Sequence, residues 1–345
     1  MKNWIDKLVQ ESCLSRREWT ELIENRSQTD AEYLFEQARI VRERVYGRDI
    51  YLRGLIEFSS YCRNDCFYCG LRASNRRAQR YRLTKDEILE CCKTGYKLDF
   101  RTFVLQSGED PYFSDELTVD IIRAIRANYP DCAITLSMGE KSRESYQKFF
   151  DAGADRYLLR HETANPEHYA KLHPPSLSHE NRKRCLWNLK EIGYQVGAGF
   201  MVGSPWQTTQ CLADDMLFLK ELTPQMVGIG PFIPHRNTPF GGQHQGTLEL
   251  TLFMLACLRL MLPHALLPAT TALNTISPNG RELGIMAGAN IIMPNLSPKK
   301  VREKYMPYDG KISAGDEAAE SCQRIRKQME SIGYKVVVSR GDCRQ

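Results

Sequence analysis

Short apolar runs alternate with longer amphipathic stretches along most of the chain. Runs rich in Ile, Val, Leu and Phe, bounded by Gly, Pro or polar residues, fall at 51–58, 102–106, 133–137, 156–160, 196–202, 226–230, 265–270 and 290–293. Their length and composition predict buried strands. Between them the spacing predicts helices over 88–94, 115–128, 143–152, 179–192, 208–222, 248–261 and 281–287. The first of these opens on a capping box, Thr84-Lys85-Asp86-Glu87, and has Gly95 behind it. Upstream the chain reads as amphipathic helix. Leu34, Ala38, Val41 and Val45 recur at helical spacing with Glu36, Arg39 and Glu43 between them, and Gly47 ends the stretch.

About eight strand-then-helix units predict an α/β fold, a complete (β/α)8 TIM-type barrel. A helical extension over 1–48 precedes the barrel over 49–304, and a short C-terminal tail over 305–345 packs on it. The tail is expected to carry a helix over 316–332 and a strand over 336–338. A doubly wound open sheet shows the same alternation, and the count alone leaves both open. In a barrel, chemistry sits in loops at the carboxyl ends of the strands, so functional side chains should follow the apolar runs.

Composition narrows the class. A hydrophobic fraction of 42% supplies a large core. No apolar run nears the ~20 residues that span a bilayer, and Met1 to Asp6 lacks a secretory apolar region, so a cytoplasmic, non-membrane protein is expected. Net charge is +5, with the densest basic run at 72–82 (RASNRRAQRYR). That run reads first as a solvated loop or a local counter-charge, and only second as a nucleic-acid contact, since no RNA-binding signature accompanies it. Twelve cysteines are too scattered for a disulfide framework. Cys13, Cys132, Cys185, Cys211, Cys257 and the pair Cys91-Cys92 read as buried or half-buried hydrophobes, the two of the pair on different helix faces.

Three cysteines break that pattern. Directly after the first run come Cys62, Cys66 and Cys69, spaced C-x3-C-x2-C. Thiolates suit iron–sulfur clusters or zinc. Structural zinc normally takes four Cys or His ligands, and none follows Cys69 until Cys91 inside a helix pattern. Three ligands can instead hold three corners of a cubane and leave one iron open. This spacing, with an aromatic before the third cysteine, resembles the radical S-adenosylmethionine (SAM) superfamily. The resemblance implies one [4Fe–4S] cluster whose open iron binds SAM, reductive cleavage of SAM, a 5′-deoxyadenosyl radical, and Tyr68 against the adenine.

Other candidates follow later runs. The second is followed by Gln106-Ser107-Gly108-Glu109-Asp110-Pro111, where Gly108 permits close backbone approach and Glu109 can receive an ammonium. It resembles the superfamily's GGEDP-type loop for the methionine amine, with Ser107 in place of the first glycine. The third run ends near Thr135 and Ser137. In the fourth, alternation puts Arg156, Leu158, Arg160 and Glu162 on one face. Two inward arginines are costly unless an anion meets them, so Arg156 and Arg160 read as clamps, the alternative for Arg160 being an ion pair with Glu162. His161, of opposite parity, is either a site residue or packed between strand and helix. Arg182 suits the SAM carboxylate. Met226, Thr270, Thr271 and Tyr305 lie at or beyond later runs, the threonines as caps or ligands.

Segments 62–72 (CRNDCFYCGLR), 105–112 (LQSGEDPY), 153–166 (GADRYLLRHETANP), 226–239 (MVGIGPFIPHRNTP) and 268–272 (PATTA) resemble the HydE family of [FeFe]-hydrogenase maturases. The resemblance implies a small organometallic substrate, a cysteine-bound iron species with CO and cyanide, alongside HydG- and HydF-type maturases. An electron donor such as flavodoxin or ferredoxin is implied as well. It puts Ser137, Glu162, Arg182 and Met226 with Tyr68, Gly108 and Glu109 at SAM. It puts Gln106, Thr135, Arg156, Arg160, Thr270, Thr271 and Tyr305 around the substrate, with Arg156, Arg160 and Tyr305 as the catalytic candidates. Some family members carry a second cluster on three C-terminal cysteines. Here Ser313 and Ser321 leave only Cys322, and Cys343 lies on a terminus expected to be mobile, so a single cluster is expected. A methylornithine synthase-like mutase shares much of this pattern. A non-catalytic iron–sulfur protein would need a fourth ligand, and a nucleic-acid-modifying radical enzyme rests only on the basic run.

Overall fold

The computed structural model describes residues 1–312 and 318–344. Three helices, Lys2–Glu11, Arg16–Glu24 and Gln28–Tyr46, open the chain. Capping boxes at Ser15/Glu18 and Ser27/Asp30 start the second and third, and Gly47 with φ 60° ends the third. Their apolar faces (Ile5, Leu8, Trp19, Leu22, Leu34) share one core with the rest of the fold.

The strands are β1 (Asp49–Leu52), β2 (Gly54–Ser59), β3 (Thr102–Ser107), β4 (Ala133–Ser137), β5 (Arg156–Leu158), β6 (Gln195–Ala198), β7 (Met201–Val202), β8 (Met226–Val227), β9 (Gly230–Pro231), β10 (Ile291–Ile292) and β11 (Lys335–Val337). Six form one parallel sheet in the order β2-β3-β4-β5-β6-β8. Helices Lys85–Lys97, Asp115–Asn128, Arg143–Asp151, His179–Ile192 and Thr209–Leu222 fall where the periodicity puts them, the first with its Thr84/Glu87 box intact. Both Cys91 and Cys92 are buried on that first helix, so the pair does not divide between core and surface.

The expected run 265–270 makes no named strand. Single bridges Met226↔Leu266, Pro268↔Ile291 and Leu55↔Asn295 instead lead from β8 through this segment and β10 back to β2. Pro268 has no N–H for a ladder, and Thr270 already begins a helix, Thr271–Ile276. None of the described helices is long and apolar enough to cross a membrane.

The tail carries the expected helix and strand, and it is its last residues that differ from expectation. After helix Ala318–Ser331, β11 pairs in parallel with β1, whose other neighbour is β10. The chain then crosses the amino ends of the strands as an anchored segment. Thr102 Oγ1 donates to Arg340 O at 2.8 Å, Gln195 Nε2 to Asp342 Oδ1 at 2.9 Å, and Arg340 pairs with Asp155 at 2.9 Å. The expected mobility of Cys343 is thus corrected: its thiol donates to His264 O at 2.9 Å. Cys322 is buried on its helix, Ser321 precedes it there, and Ser313 lies outside the described residues.

Candidate active site

The cysteine loop leaves the carboxyl end of β2 and is shaped by the basic run itself. Asp65 takes two bonds from Arg72 and two from Ser74, which hold its carboxyl well below the usual range. Arg80 donates to the carbonyls of Ser60, Leu71 and Arg72. Arg82 clasps Asp110 with both Nε (2.7 Å) and Nη2 (2.9 Å). These arginines are therefore the loop's scaffold. Backbone bonds Phe67 N–Leu172 O (3.0 Å) and Gly70 N–Pro307 O (2.8 Å) tie the loop to later segments.

Cys62, Cys66 and Cys69 are free and half-buried. Burial and their mutual repulsion push the thiols up, Cys69 to about 12 and Cys66 further. Such a trio is poorly suited to standing as thiolates alone and well suited to ligating cationic iron. Among the described residues no group of His, Cys, Asp and Glu meets the geometry of a single metal ion. A cubane takes one thiolate at each of three separate iron corners, so three cysteines on one loop are the ligand set it needs.

The second loop closes on the first. Arg63 N donates to Glu109 O at 2.9 Å. A Cβ on Gly108 would lie 2.3 Å from Tyr61 O and 2.7 Å from Cys62 Cβ, so only glycine lets the loops meet. Glu109 is buried, with Oε1 accepting from Glu140 N at 2.8 Å and Oε2 facing Arg63 Nε at 3.2 Å. Asp110 is taken up by Arg82 and by Ser59 Oγ at 2.6 Å, which makes it a structural carboxylate.

Around these loops stand the remaining SAM candidates. Arg182 is buried, with Nε 2.7 Å from Glu140 Oε1. His173 Nδ1–H donates to Tyr169 O at 3.1 Å, so its free Nε2 accepts from Tyr68 OH at 3.2 Å. Burial lowers the His173 imidazole to about 3, consistent with that neutral tautomer. Ser137 ends β4 opposite Gln106 of β3. Glu162 follows β5 with φ 67°, a left-handed conformation that costs an ordinary side chain on the order of 1 kcal/mol. Its Oε2 lies 3.2 Å from Arg160 Nη2.

Deeper in the interior, polar atoms stand without partners. Arg160 Nε, Thr135 Oγ1 and Thr270 Oγ1 are buried with no hydrogen bond, so Thr270 is not acting as a side-chain cap. Thr271 opens the short helix. Gln106 Nε2 donates to Tyr305 OH at 3.3 Å. Uncompensated buried polar groups are expensive, and Arg160, Thr135 and Thr270 leave hydrogen-bonding capacity open in the interior.

Two sequence-derived assignments are corrected. Arg156 begins β5, and its guanidinium lies at the amino end of the sheet. Its donors go to Gln195 Oε1 (3.2 Å), Thr102 Oγ1 (3.1 Å), Arg340 O (2.9 Å), Gly341 O (3.2 Å) and Asp342 Oδ1 (2.6 Å). It is saturated by the tail and is no substrate clamp. Met226 likewise begins β8. Its Sδ accepts from buried Arg53, just ahead of β2, at 2.9 Å, amid Tyr46, Tyr51, Leu266 and Ile291. His161 faces outward, between strand and helix.

Sequence reading missed a buried ion pair. Lys311 reaches Glu57 of β2, whose other oxygen accepts from Asn295 Nδ2 at 2.8 Å. Lys311 also donates to Tyr305 O at 2.9 Å, latching the segment that carries Tyr305. The available signal was an acid inside the apolar run Gly54–Ser59.

A family model described as Radical SAM superfamily matches residues 56–219. The chain is 47% identical over 327 residues to the [FeFe] hydrogenase maturase subunit HydE of Thermotoga maritima, covering 93% of each. It is 30% identical over 335 residues to the 3-methylornithine synthase of Methanosarcina barkeri, covering 96% of this chain and 92% of that protein. Among solved structures, methylornithine synthase superposes with TM-score 0.85 at 29% identity over 97% of both chains. The [FeFe]-hydrogenase maturase HydG superposes with TM-score 0.81 at 20% identity, over 96% of this chain and 75% of that one, a likeness of fold alone.

Proposed function

The chain belongs to the radical SAM superfamily and within it to the HydE family, and from that premise we propose that it acts in [FeFe]-hydrogenase maturation. The observation that carries the site reading is the contact of the two loops: Gly108 and Glu109 lie against Cys62 and Arg63 at the carboxyl ends of β2 and β3. In this reading Cys62, Cys66 and Cys69 hold one [4Fe–4S] cluster per chain. The chemistry such a cluster supplies when bound is one-electron cleavage of SAM to methionine and a 5′-deoxyadenosyl radical. Glu109 receives the methionine ammonium beside Gly108, Arg182 the carboxylate, and Tyr68, Ser137 and Glu162 orient the nucleoside.

Gln106, Thr135, Arg160, Thr270, Thr271 and Tyr305 line the chamber of a complete (β/α)8 barrel, a closure supported by the bridges from β8 round to β2. The guest is a small anionic organometallic substrate, a cysteine-bound iron with CO and cyanide from a HydG-type partner, with the product passing toward a HydF-type scaffold. Arg160 supplies the positive charge and its free Nε. Tyr305 closes the chamber with Gln106, and Lys311 on Glu57 keeps that segment seated, excluding water. The electron comes from a cytoplasmic flavodoxin or ferredoxin. A mutase acting on an amino acid is the second reading, favoured by the 30% identity to 3-methylornithine synthase.

The test uses anaerobically reconstituted protein with dithionite and SAM. About four irons per chain, deoxyadenosine formation, and its acceleration by a synthetic cysteine–iron carbonyl cyanide complex are expected. A zinc-loaded protein that leaves SAM intact overturns the reading. Acceleration by lysine in place of the iron complex selects the mutase.

A further inference from the structure

The segment that carries Arg160 and Glu162 is gripped from behind by a buried polar cluster outside the site described above. His161 is fully buried between the rings of Phe200 and Phe218. Its Nδ1 accepts from Gly199 N at 3.3 Å, which leaves Nε2–H to donate to Asp215 Oδ1 at 3.2 Å. The same oxygen accepts from Ala164 N. Asp215 is fully buried too, and its Oδ2 has no partner. Beside it, Asp214 accepts from Asn165 Nδ2 at 2.9 Å, and Asn165 caps helix Pro166–Leu172. Asp214 also pairs with Arg16 of the N-terminal helices. Helix Thr209–Leu222 thus fastens residues 161–165 at several points.

Glu162 sits in the middle of that grip. Its left-handed φ of 67° is held by its N–H on Gly199 O at 3.1 Å and by Met201 N on its own carbonyl at 3.4 Å. Gly199 is therefore bonded to both Glu162 and His161. A buried His–Asp pair in an apolar pocket gains little over a well-packed apolar pair, so core stability alone does not account for it. What it does provide is a fixed reference for the backbone on either side of Glu162.

We propose that His161 and Asp215 are a positioning pair, locking the strained backbone at Glu162 so that its carboxylate, together with Arg160, is aimed into the chamber. The proposal rests on the SAM reading given above. Neither residue touches the cofactor; both act through Glu162.

The test compares two variants of the reconstituted holoenzyme. His161→Phe fills the space and removes both bonds. It should raise the KM for SAM about tenfold, with kcat near wild type and iron content unchanged, as loss of a residue that orients a ligand does. The SAM-induced change in the reduced cluster's EPR signal should weaken in parallel. Asp215→Asn keeps a carbonyl oxygen for both donors and should restore wild-type KM. If His161→Phe does not assemble, Asp215→Ala enters the same assay with the same expected rise. A wild-type KM in the disrupting variant with only a lower Tm overturns the proposal, as does an Asp215→Asn variant impaired as far as His161→Phe. A wild-type cluster that ignores SAM overturns the parent reading, and the pair with it.

Discussion

Arg156 opens β5 and Arg160 lies two residues past its end, and the two end in opposite chemistry. Arg156, wholly buried, has its donors taken by two side chains and the tail's backbone and Asp342. Among the described residues Arg160 keeps Nε without a hydrogen bond, and its Nη2 lies 3.2 Å from Glu162. Four residues of strand are about 13 Å, enough to carry a side chain from one end of a sheet to the other. One arginine closes the sheet's amino end and stabilises the fold. The other stands among the interior's unsatisfied groups. For these two arginines, the saturated one serves the fold and the one with an unmet donor is the candidate for the site.

Substitutions can break or sharpen that contrast. The largest effect belongs to the carboxyl end: Cys66→Ala should lose the cluster and deoxyadenosine formation together, read by iron content and chromatography, while the tail's contacts stay intact. Next comes Arg156→Met. Removing one member of a buried, bonded set leaves its partners stranded, so a loss of about 3–5 kcal/mol in denaturant unfolding is expected, with SAM cleavage per folded molecule retained. Arg160→Met should do the reverse. Stability should move by less than about 1 kcal/mol, while substrate-stimulated turnover falls about tenfold to a hundredfold. Equal stability losses for the two arginine variants would erase the distinction.

The smallest effect is electrostatic. Burial tends to raise the Asp342 carboxyl, but Gln195 and Arg156 outweigh it and bring the group down to about 2. A carboxylate whose folded value lies below its unfolded value of about 3.9 stabilises the fold above that value. The contribution is lost as pH falls from about 4 toward 2. Asp342 is part-exposed, so Asp342→Asn should cost less than about 1 kcal/mol at neutral pH. The gap from wild type should vanish near pH 2 in acid-unfolding curves. A gap that widens in acid would contradict the pairing.

Much of the fold was legible because local rules agreed. Thr84 and Glu87 announced a helix start, and helices Asp115–Asn128 and Leu248–Met261 begin and end where their apolar spacing does. The cysteine loop was legible because three thiols without a fourth ligand admit few structural uses. Height along a strand was not. Parity put Arg156 and Arg160 on one face, but only the register with Gln195, the first residue of β6, and a partner 186 residues downstream place Arg156 at the amino end. Met226 was misassigned for the same reason. Glu57 and Lys311 were missed because the pairing spans 254 residues, although a carboxylate in a buried strand asks for a partner.

In the closed ring proposed above, the tail stops the amino ends of the strands, with Arg340 on Asp155 and Asp342 taking a bond from Gln195. A guest of such a chamber then has to enter and leave at the carboxyl ends, where the cysteine loop follows β2.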